Sequence, residues 1–224
     1  ISLEIFFWFE KVQNFSLFQK DCQKMGGSLS AKYESINHDF DIGVWKVHDA
    51  ISKSSGKHVS LWMIDYQLMK QRDRNKKVRR RYLQHCQNAI QIQQKISHRN
   101  VLKILEYDSA GKKFGFASEK IVCALSNETK YSRDEAMYIT QQLAITLDYL
   151  HENHKIVFQG LCPDNVFLSP SFTIKLGLFL HGTPYQTDIA PIQHPFMPWQ
   201  PNSIYFIPAN YCAPEIVTGS QPIT

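Results

Sequence analysis

Long hydrophobic runs are missing from this chain. No stretch of its 224 residues approaches the ~20 apolar residues that a membrane-spanning helix requires. The apolar opening at residues 5–9 is short, carries Glu4 and Glu10 at its edges and lacks the basic region of a signal peptide. The sequence therefore predicts neither a transmembrane helix nor a secretory leader.

Metal-ligand and disulfide spacings are missing as well. The cysteines are odd in number, widely spaced and form no CxxC pair, which indicates a reduced cytosolic setting. His151 and His154 flank Glu152 but do not have the HExxH spacing of a zinc site. We therefore expect no metal ion and no cofactor. The five cysteines are Cys22, Cys86, Cys123, Cys162 and Cys212.

The chain does have the composition of a globular domain, with 43% hydrophobic, 12% aromatic and 20% charged residues. It begins with Ile1, and Met25-Gly26 fits an N-myristoylation pattern if Met25 is the true start. The alternative is a polar Gly-Ser linker. Residues 1–24 carry no motif that points to a family. We expect the natural protein to continue beyond Thr224 or a partner to cover the surface left open there.

Periodicity predicts strands first and a long helix later. Strands are predicted at residues 44–47 and 58–64, a helix at 75–96, and strands at 101–107 and 114–117. Ser132 and Glu135 form a capping box before an apolar stripe, which predicts a second helix. A hairpin is predicted at 165–168 and 173–176, and the proline-rich residues 184–208 predict a loop without regular structure. This order indicates an α+β fold in two lobes.

Four segments follow one another in the order of protein-kinase motifs. Residues 96–102 (ISHRNVL) resemble L-x-H-P-N-I-[VL], and residues 156–165 (IVFQGLCPDN) resemble the catalytic loop I-V-H-R-D-L-K-P-x-N. Residues 174–180 (IKLGLFL) stand where kinases have I-K-L-x-D-F-G, and residues 213–215 are A-P-E. The resemblance implies a two-lobed protein-kinase-like fold whose C-terminal lobe is truncated. Its predicted divisions are an extension at 1–32, a first lobe at 33–120 and the beginning of a second lobe at 121–224.

In the first lobe, this resemblance assigns phosphate binding to positions that do not carry the residues typical of kinases. Phosphoryl transfer needs glycine amides and positive charge around the phosphates. The three glycine positions fall on Asn37, Asp39 and Ile42, ahead of Val44. The strand lysine falls on Trp62, whose indole carries no charge and fills space instead, and its glutamate partner falls on Ala89.

The second-lobe positions are substituted in the same way. The catalytic base falls on Gly160, the loop lysine on Cys162 and the principal metal-binding aspartate on Leu178, while Asn165 keeps its identity. We expect Asn165 to bond loop backbone and Cys162 to be a buried thiol rather than a nucleophile. Phe158 and Phe179 are expected to stack in the core. The vestigial nucleotide positions are Asn37, Asp39, Ile42, Val44, Glu119 and Asn165.

A further set of segments narrows the resemblance. It comprises residues 116–119 (FASE), 123–127 (CALSN), 159–165 (QGLCPDN), and 199–202 (WQPN) before 211–215 (YCAPE). By these segments the chain is similar in particular to the SCY-like pseudokinases, in their clathrin-coated-vesicle-associated branch. Residues 159–165 resemble that branch's H-G-N-I-T-P-E-N, and the last two segments resemble its W-D-P-N…Y-L-A-P-E. The resemblance implies clathrin and adaptor partners and a cytoplasmic location, peripheral on vesicle, Golgi or endosomal membranes.

A basic segment runs from residue 70 to residue 81. One interpretation is a solvated helix face, and another is contact with anionic lipid headgroups or an acidic protein segment. Nucleic acid is disfavoured because no stacking aromatics are interleaved with the charges. The basic segment consists of Lys70, Arg72, Arg74, Lys76, Lys77, Arg79, Arg80 and Arg81.

Together these patterns predict a binding or scaffold module that is not an enzyme. Two alternatives remain open at this point. One is an atypical protein kinase with residual ATP binding, and the other is a structural subunit of a large assembly.

Overall fold

A computed structural model describes residues 29–108, 114–127, 130–158, 160–179, 182–184 and 209–212. Within these ranges the chain forms a five-stranded antiparallel sheet followed by a helical region with short hairpins. The sheet has the strand order β1-β2-β3-β5-β4. Its strands are β1 (Tyr33–Ile42), β2 (Trp45–Ser52), β3 (His58–Ile64), β4 (Ile104–Asp108) and β5 (Gly115–Glu119).

The central strands of this sheet are buried on both faces. On one face Val47, Trp62 and Phe116 enter the main core. On the other face Leu61 and Ala117 pack in a smaller cluster with Leu29, just before β1, and Tyr33, at its start. Covering both faces explains why β3 has an almost continuous apolar pattern rather than strict alternation.

Two glycines determine the local geometry of the sheet. Gly43 links β1 to β2 with a positive φ of 58°, which glycine adopts without steric cost. A β-carbon on Gly115 would meet both the Met63 sulfur and the Trp62 carbonyl at 2.6 Å. The close approach of β3 and β5 therefore requires glycine at residue 115.

Two helices connect β3 to β4. Helix α1 (Tyr66–Arg72) begins at Asp65, whose carboxylate accepts the amides of Gln67 and Leu68. Helix α2 (Lys76–Gln94) begins at Asn75. The helix predicted at 75–96 is confirmed, whereas the sequence analysis missed α1.

The second lobe is built around α3 (Arg133–His154). The predicted capping box is present, with the Glu135 carboxylate accepting the Ser132 amide at 2.7 Å. The helix ends at Lys155, which adopts a left-handed φ of 53°. Leu150 is fully buried, and three other members of the predicted stripe pack partly buried against the second core cluster: Ile139, Leu143 and Leu147.

Short strands complete this lobe and confirm the predicted hairpin. Strands β6, β8 and β9 form one small sheet, and β7 pairs with β10. Of the proline-rich segment, only Pro184 lies within the described residues. The bounds are β6 (Cys123–Ala124), β7 (Ile156–Phe158), β8 (Val166–Leu168), β9 (Ile174–Leu176) and β10 (Gly182–Pro184).

The described residues thus have the predicted α+β class, with a sheet-based first lobe and a helix-based second lobe. No helix among them is both long and apolar enough to cross a membrane. The predicted divisions at residues 32/33 and 120/121 stay a prediction.

Candidate functional site: the cleft between the lobes

The centre of the cleft is filled by the indole of Trp62, on the middle of β3. Trp62 is fully buried, and its ring stacks on Phe116 with centroids 5.2 Å apart and planes 11° apart. Phe167 of β8, in the second lobe, meets the same indole edge to face at 5.2 Å. The Trp62 Nε1 donates a hydrogen bond to the Ser118 hydroxyl at 2.9 Å, so its one polar atom is satisfied. The expectation that Trp62 fills space is confirmed.

A second polar contact lies beside this stack. The Ile121 amide donates to the hydroxyl of Ser60 at 3.1 Å, and Ser60 is fully buried on β3. The hydroxyl satisfies a buried backbone donor just after β5. Ser60 and Ser118 thus each satisfy a donor that burial would otherwise leave unpaired.

Ion pairs tie the end of β5 to both lobes through Glu119, its last residue, and Lys120, which follows it, and we call these two residues the linker. Glu119 pairs with Lys175 of β9 at 3.0 Å and accepts the Lys103 amide at 2.8 Å. Lys120 pairs with Asp39 of β1 at 2.9 Å and with Asp49 of β2 at 3.1 Å. The linker is therefore held by charge to the first hairpin on one side and to the second lobe on the other.

The predicted phosphate-loop positions do not gather around one point. The exposed Asn37 donates to the Ser35 carbonyl, and Asp39 is engaged by Lys120. Ile42 and Val44 are buried in the main core. In this arrangement Asp39 serves as an ion-pair partner, and the two apolar positions serve packing.

The catalytic-loop positions lie close together. The Asn165 side chain donates to the Gly160 carbonyl at 2.6 Å, and the Asn165 carbonyl accepts the Gly177 amide at 3.0 Å. Asn165 thus bonds loop backbone, as expected. Cys162 is buried, and burial followed by the nearby Asp164 carboxylate raises the pKa of its thiol to about 11. A thiol held protonated at neutral pH is a poor nucleophile.

Leu178 and Phe179 lie behind this loop in the apolar interior. Leu178 is buried, with a positive φ of 53° that costs a non-glycine residue about 1 kcal/mol. Phe179 meets Phe158 edge to face with centroids 5.0 Å apart, which confirms the predicted aromatic contact.

Helix α2 closes the back of the cleft with a small side chain. Ala89 is buried there, and with Trp45 and Leu178 it lines a narrow cavity of about 10 Å³. That volume holds about one water molecule. Among the described residues, no group of three or more His, Cys, Asp or Glu is placed to hold a metal ion.

The basic segment lies away from the cleft, on α1, α2 and the turn between them. Arg79 is half-buried and donates to the Asp73 carbonyl at 2.7 Å. The other seven side chains are exposed. The structure thus separates two sets of predicted residues, one inside the cleft and one on an outer helical surface.

Several contributors to the cleft were missed by sequence analysis. Phe116 and Phe167 give no local sign of meeting Trp62, because they lie on other strands far from it in the chain. Ser60 lies on β3 itself, but its partner, the Ile121 amide, is 61 positions away. Nothing in the sequence around Lys120 or Lys175 distinguishes them from ordinary surface cations. One signal was available: a large aromatic residue at a strand position flanked by apolar residues requires a large apolar partner.

Comparison with known proteins identifies relatives for most of the chain. The sequence profile described as "Protein kinase domain" matches residues 43–224. The SNF1-related protein kinase catalytic subunit alpha KIN12 of Arabidopsis thaliana is 26% identical over 78% of this chain and 32% of its own length. The serine/threonine protein kinase OSK3 of Oryza sativa subsp. indica is 24% identical over 89% of this chain and 37% of its own. The serine/threonine-protein kinase PLK4 of Xenopus tropicalis is 30% identical over 78% of this chain and 17% of its own.

These relatives correct one expectation. The profile and the kinase names support the protein-kinase-like fold. The prediction that the chain is not an enzyme is wrong, because relatives named as serine/threonine kinases point to an enzyme. The chain spans about a third or less of the length of these relatives.

Proposed function

Because the chain belongs to the protein kinase family, we propose that this kinase domain acts as a protein-binding scaffold in membrane traffic. The contact between Trp62 and Phe167 carries this proposal, since it joins the cores of the two lobes at the centre of the cleft. A binding surface that is already fixed loses less conformational entropy when a partner docks. Aromatic packing that holds the two lobes together supports such a surface.

The ion pairs of the linker support the same function. Glu119 reaches Lys175, and Lys120 reaches Asp39 and Asp49. The lysine side chains are only 12% and 20% exposed, so these pairs are less screened by solvent than ordinary surface pairs. They restrain the linker about which the two lobes would otherwise rotate.

The partner class comes from the sequence resemblance. Residues 116–119, 159–165 and 199–202 resemble the SCY-like branch of the kinase family, whose members act with clathrin and adaptors. We therefore propose that this chain belongs to that branch and that its partners are clathrin or adaptors. Its location would be cytoplasmic, peripheral on vesicle, Golgi or endosomal membranes.

Phosphoryl transfer is the second candidate function. The family match and the names of the relatives favour it. Thermal unfolding with ATP, alone and with Mg²⁺ or Mn²⁺, together with transfer of labelled phosphate to a generic protein substrate, tests this candidate. Metal-dependent stabilisation by several degrees together with transfer would establish it, and the absence of both would reject it.

Binding to purified clathrin terminal domain and adaptor appendage domains, measured by surface plasmon resonance, tests the scaffold function. Saturable binding to at least one of them is expected. Phe167→Ala should weaken that binding, because it removes the contact between the lobes. The matched control is Leu150→Ala, which truncates a fully buried side chain of α3 outside the cleft. No binding by the parent chain, or equal loss in the two variants at a temperature where both are folded, would reject the proposal.

A further inference from the structure

A long stretch of the chain contains no acidic residue. Between Asp73 and Glu106 there is neither Asp nor Glu. Solvated protein surfaces ordinarily mix both signs of charge. This stretch carries charge of one sign only, from Arg74, Lys76, Lys77, Arg79, Arg80, Arg81, Lys95, Arg99 and Lys103.

The cations concentrate on the outward face of α2 and on the neighbouring α1. Lys76, Lys77, Arg80 and Arg81 are exposed, whereas the opposite face of α2, around Tyr82, is buried in the main core. Lys70, Arg72 and Arg74 extend the exposed charge onto α1 and the turn. We call these seven residues the basic face.

No carboxylate neutralises the basic face within the described residues. None of the salt bridges among the described residues involves a member of the basic face. Asp65 pairs with Lys46 and caps α1, and Asp73 accepts the Asn75 amide. The acids nearest in sequence are therefore already engaged.

This placement of charge is unfavourable for the fold itself. Lys76 and Lys77 lie in the first turn of α2, where the helix dipole favours anions rather than cations. Lys76 faces Arg80, and Lys77 faces Arg81, at the i,i+4 spacing that destabilises pairs of like charge. Folding stability therefore does not account for the basic face, but neutralisation by an anionic partner does.

The surroundings of the charges indicate which anion fits. The side chains project from outward helix faces, and Tyr82, the aromatic residue nearest to them on α2, is buried, so it offers no platform for a nucleic-acid base. Clusters of four to eight cations on a helix surface are typical of binding to anionic lipid headgroups. We propose that the basic face docks this domain on an anionic phospholipid membrane. The inference goes beyond the scaffold function, because it concerns a lipid surface and does not depend on the cleft.

Co-sedimentation of the full chain with vesicles tests the proposal. The probes are phosphatidylcholine vesicles with and without about 30% phosphatidylserine, because clusters of this kind select anionic lipid. Binding should require the anionic lipid and should fall at least about tenfold between 0.1 and 0.5 M salt, since salt screens exposed charge. The absence of dependence on phosphatidylserine would overturn the proposal.

Two variants with the same change in net charge locate the surface. The triple variant Lys76→Glu, Arg80→Glu, Arg81→Glu should lose about 100-fold in partition, at about fivefold for each cation near a membrane. The control Lys57→Glu, Lys130→Glu, Arg133→Glu changes three exposed cations elsewhere and should lose less than about threefold. Circular dichroism and thermal melting should show both variants folded. The first should melt no lower than the parent, because it places an acidic side chain in the first turn of α2 and gives residues 77 and 81 opposite charges. Equal losses in the two variants would overturn the proposal. Binding of the parent to RNA or polyglutamate but not to vesicles would also overturn it, if only the first variant loses that binding.

Discussion

The indole of Trp62 lies parallel to the phenyl ring of Phe116, with 5.2 Å between the ring centroids. The two residues are direct partners on neighbouring strands β3 and β5. Phe167 closes the far side of the indole from the second lobe. The indole at the position predicted to correspond to the kinase lysine is therefore the centre of the aromatic packing, and the correspondence itself stays a prediction.

Truncation of this ring should destabilise the domain strongly. Trp62→Ala removes the largest fully buried side chain and should lower the free energy of unfolding by about 3–5 kcal/mol. Urea unfolding followed by circular dichroism measures the loss. The matched control is Phe172→Ala, which truncates an aromatic residue that is 80% exposed and should change stability by less than about 0.5 kcal/mol. Similar costs for the two variants would contradict the central role of Trp62.

Removal of the linker cation should cost more than removal of an ordinary surface cation. Lys120→Met leaves Asp39 and Asp49 without their shared partner and should lower the free energy of unfolding by about 1–2 kcal/mol. Lys155→Met is the comparison, because Lys155 is exposed, lies 3.6 Å from Glu152 and should contribute about 0–0.5 kcal/mol. Chemical unfolding at low and high salt measures both. A Lys120→Met cost no larger than that of Lys155→Met would exclude a restraining role for the linker ion pairs.

A buried histidine should make the domain sensitive to acid. Burial, followed by the nearby His38 and Lys46, lowers the pKa of His48 to about 4, and its Nδ1 has no hydrogen-bond partner. The unfolded chain therefore binds a proton at higher pH than the folded one. Stability from this residue is complete above about pH 6.5 and is lost as pH falls toward 4, by about 2–3 kcal/mol.

Comparing the parent with a His48 variant separates the effect of His48 from the titration of Asp and Glu side chains, which both proteins share. Unfolding free energies of the parent and of His48→Gln, measured from pH 7.5 to 4, should converge as pH falls. The exposed Asn37 of β1 provides the control, because Asn37→Gln removes no titratable group and should keep the slope of the parent. If the unfolding free energies of the parent and His48→Gln fall in parallel with pH, protonation of His48 is not the cause of the lost stability.

The catalytic-loop cysteine should resist alkylation in the folded chain. With a pKa near 11, only about 0.03% of the Cys162 thiol is ionised at pH 7.5, and the side chain is buried. Iodoacetamide labelling read by peptide mass spectrometry should therefore find Cys162 protected in buffer and labelled in guanidinium. Rapid labelling of Cys162 under native conditions would instead indicate an accessible thiolate.

Local signals explain which elements could be predicted. The capping box of Ser132 and Glu135 predicts the start of α3, and the apolar stripe behind it predicts its inward face, because both signals lie within the helix itself. Strand β1 was not predicted, since Ser35 has a positive φ of 51° and the pairing register shifts between Glu34 and Asn37. These irregularities interrupt the alternation by which strands are recognised. Helix α1 is too short to establish a periodicity.

The contacts of the candidate site could not be predicted from the sequence. Motif spacing nominates Trp62, Gly160 and Leu178 as site positions, and their correspondence to kinase residues stays a prediction. The contact between Trp62 and Phe167 joins residues more than a hundred positions apart, and no local pattern specifies such a pairing. The prediction that the chain is not an enzyme was wrong because it rested on the identity of single residues, whereas the relatives indicate the family of the whole domain.

The aromatic contact between the lobes also has a consequence for how the domain melts. Phe167 and Leu178 of the second lobe belong to the same apolar cluster as Val47 and Trp62 of the first. Neither lobe can lose its packing without opening the core of the other. The calorimetric enthalpy should therefore equal the van't Hoff enthalpy, with one heat-absorption peak rather than one for each lobe.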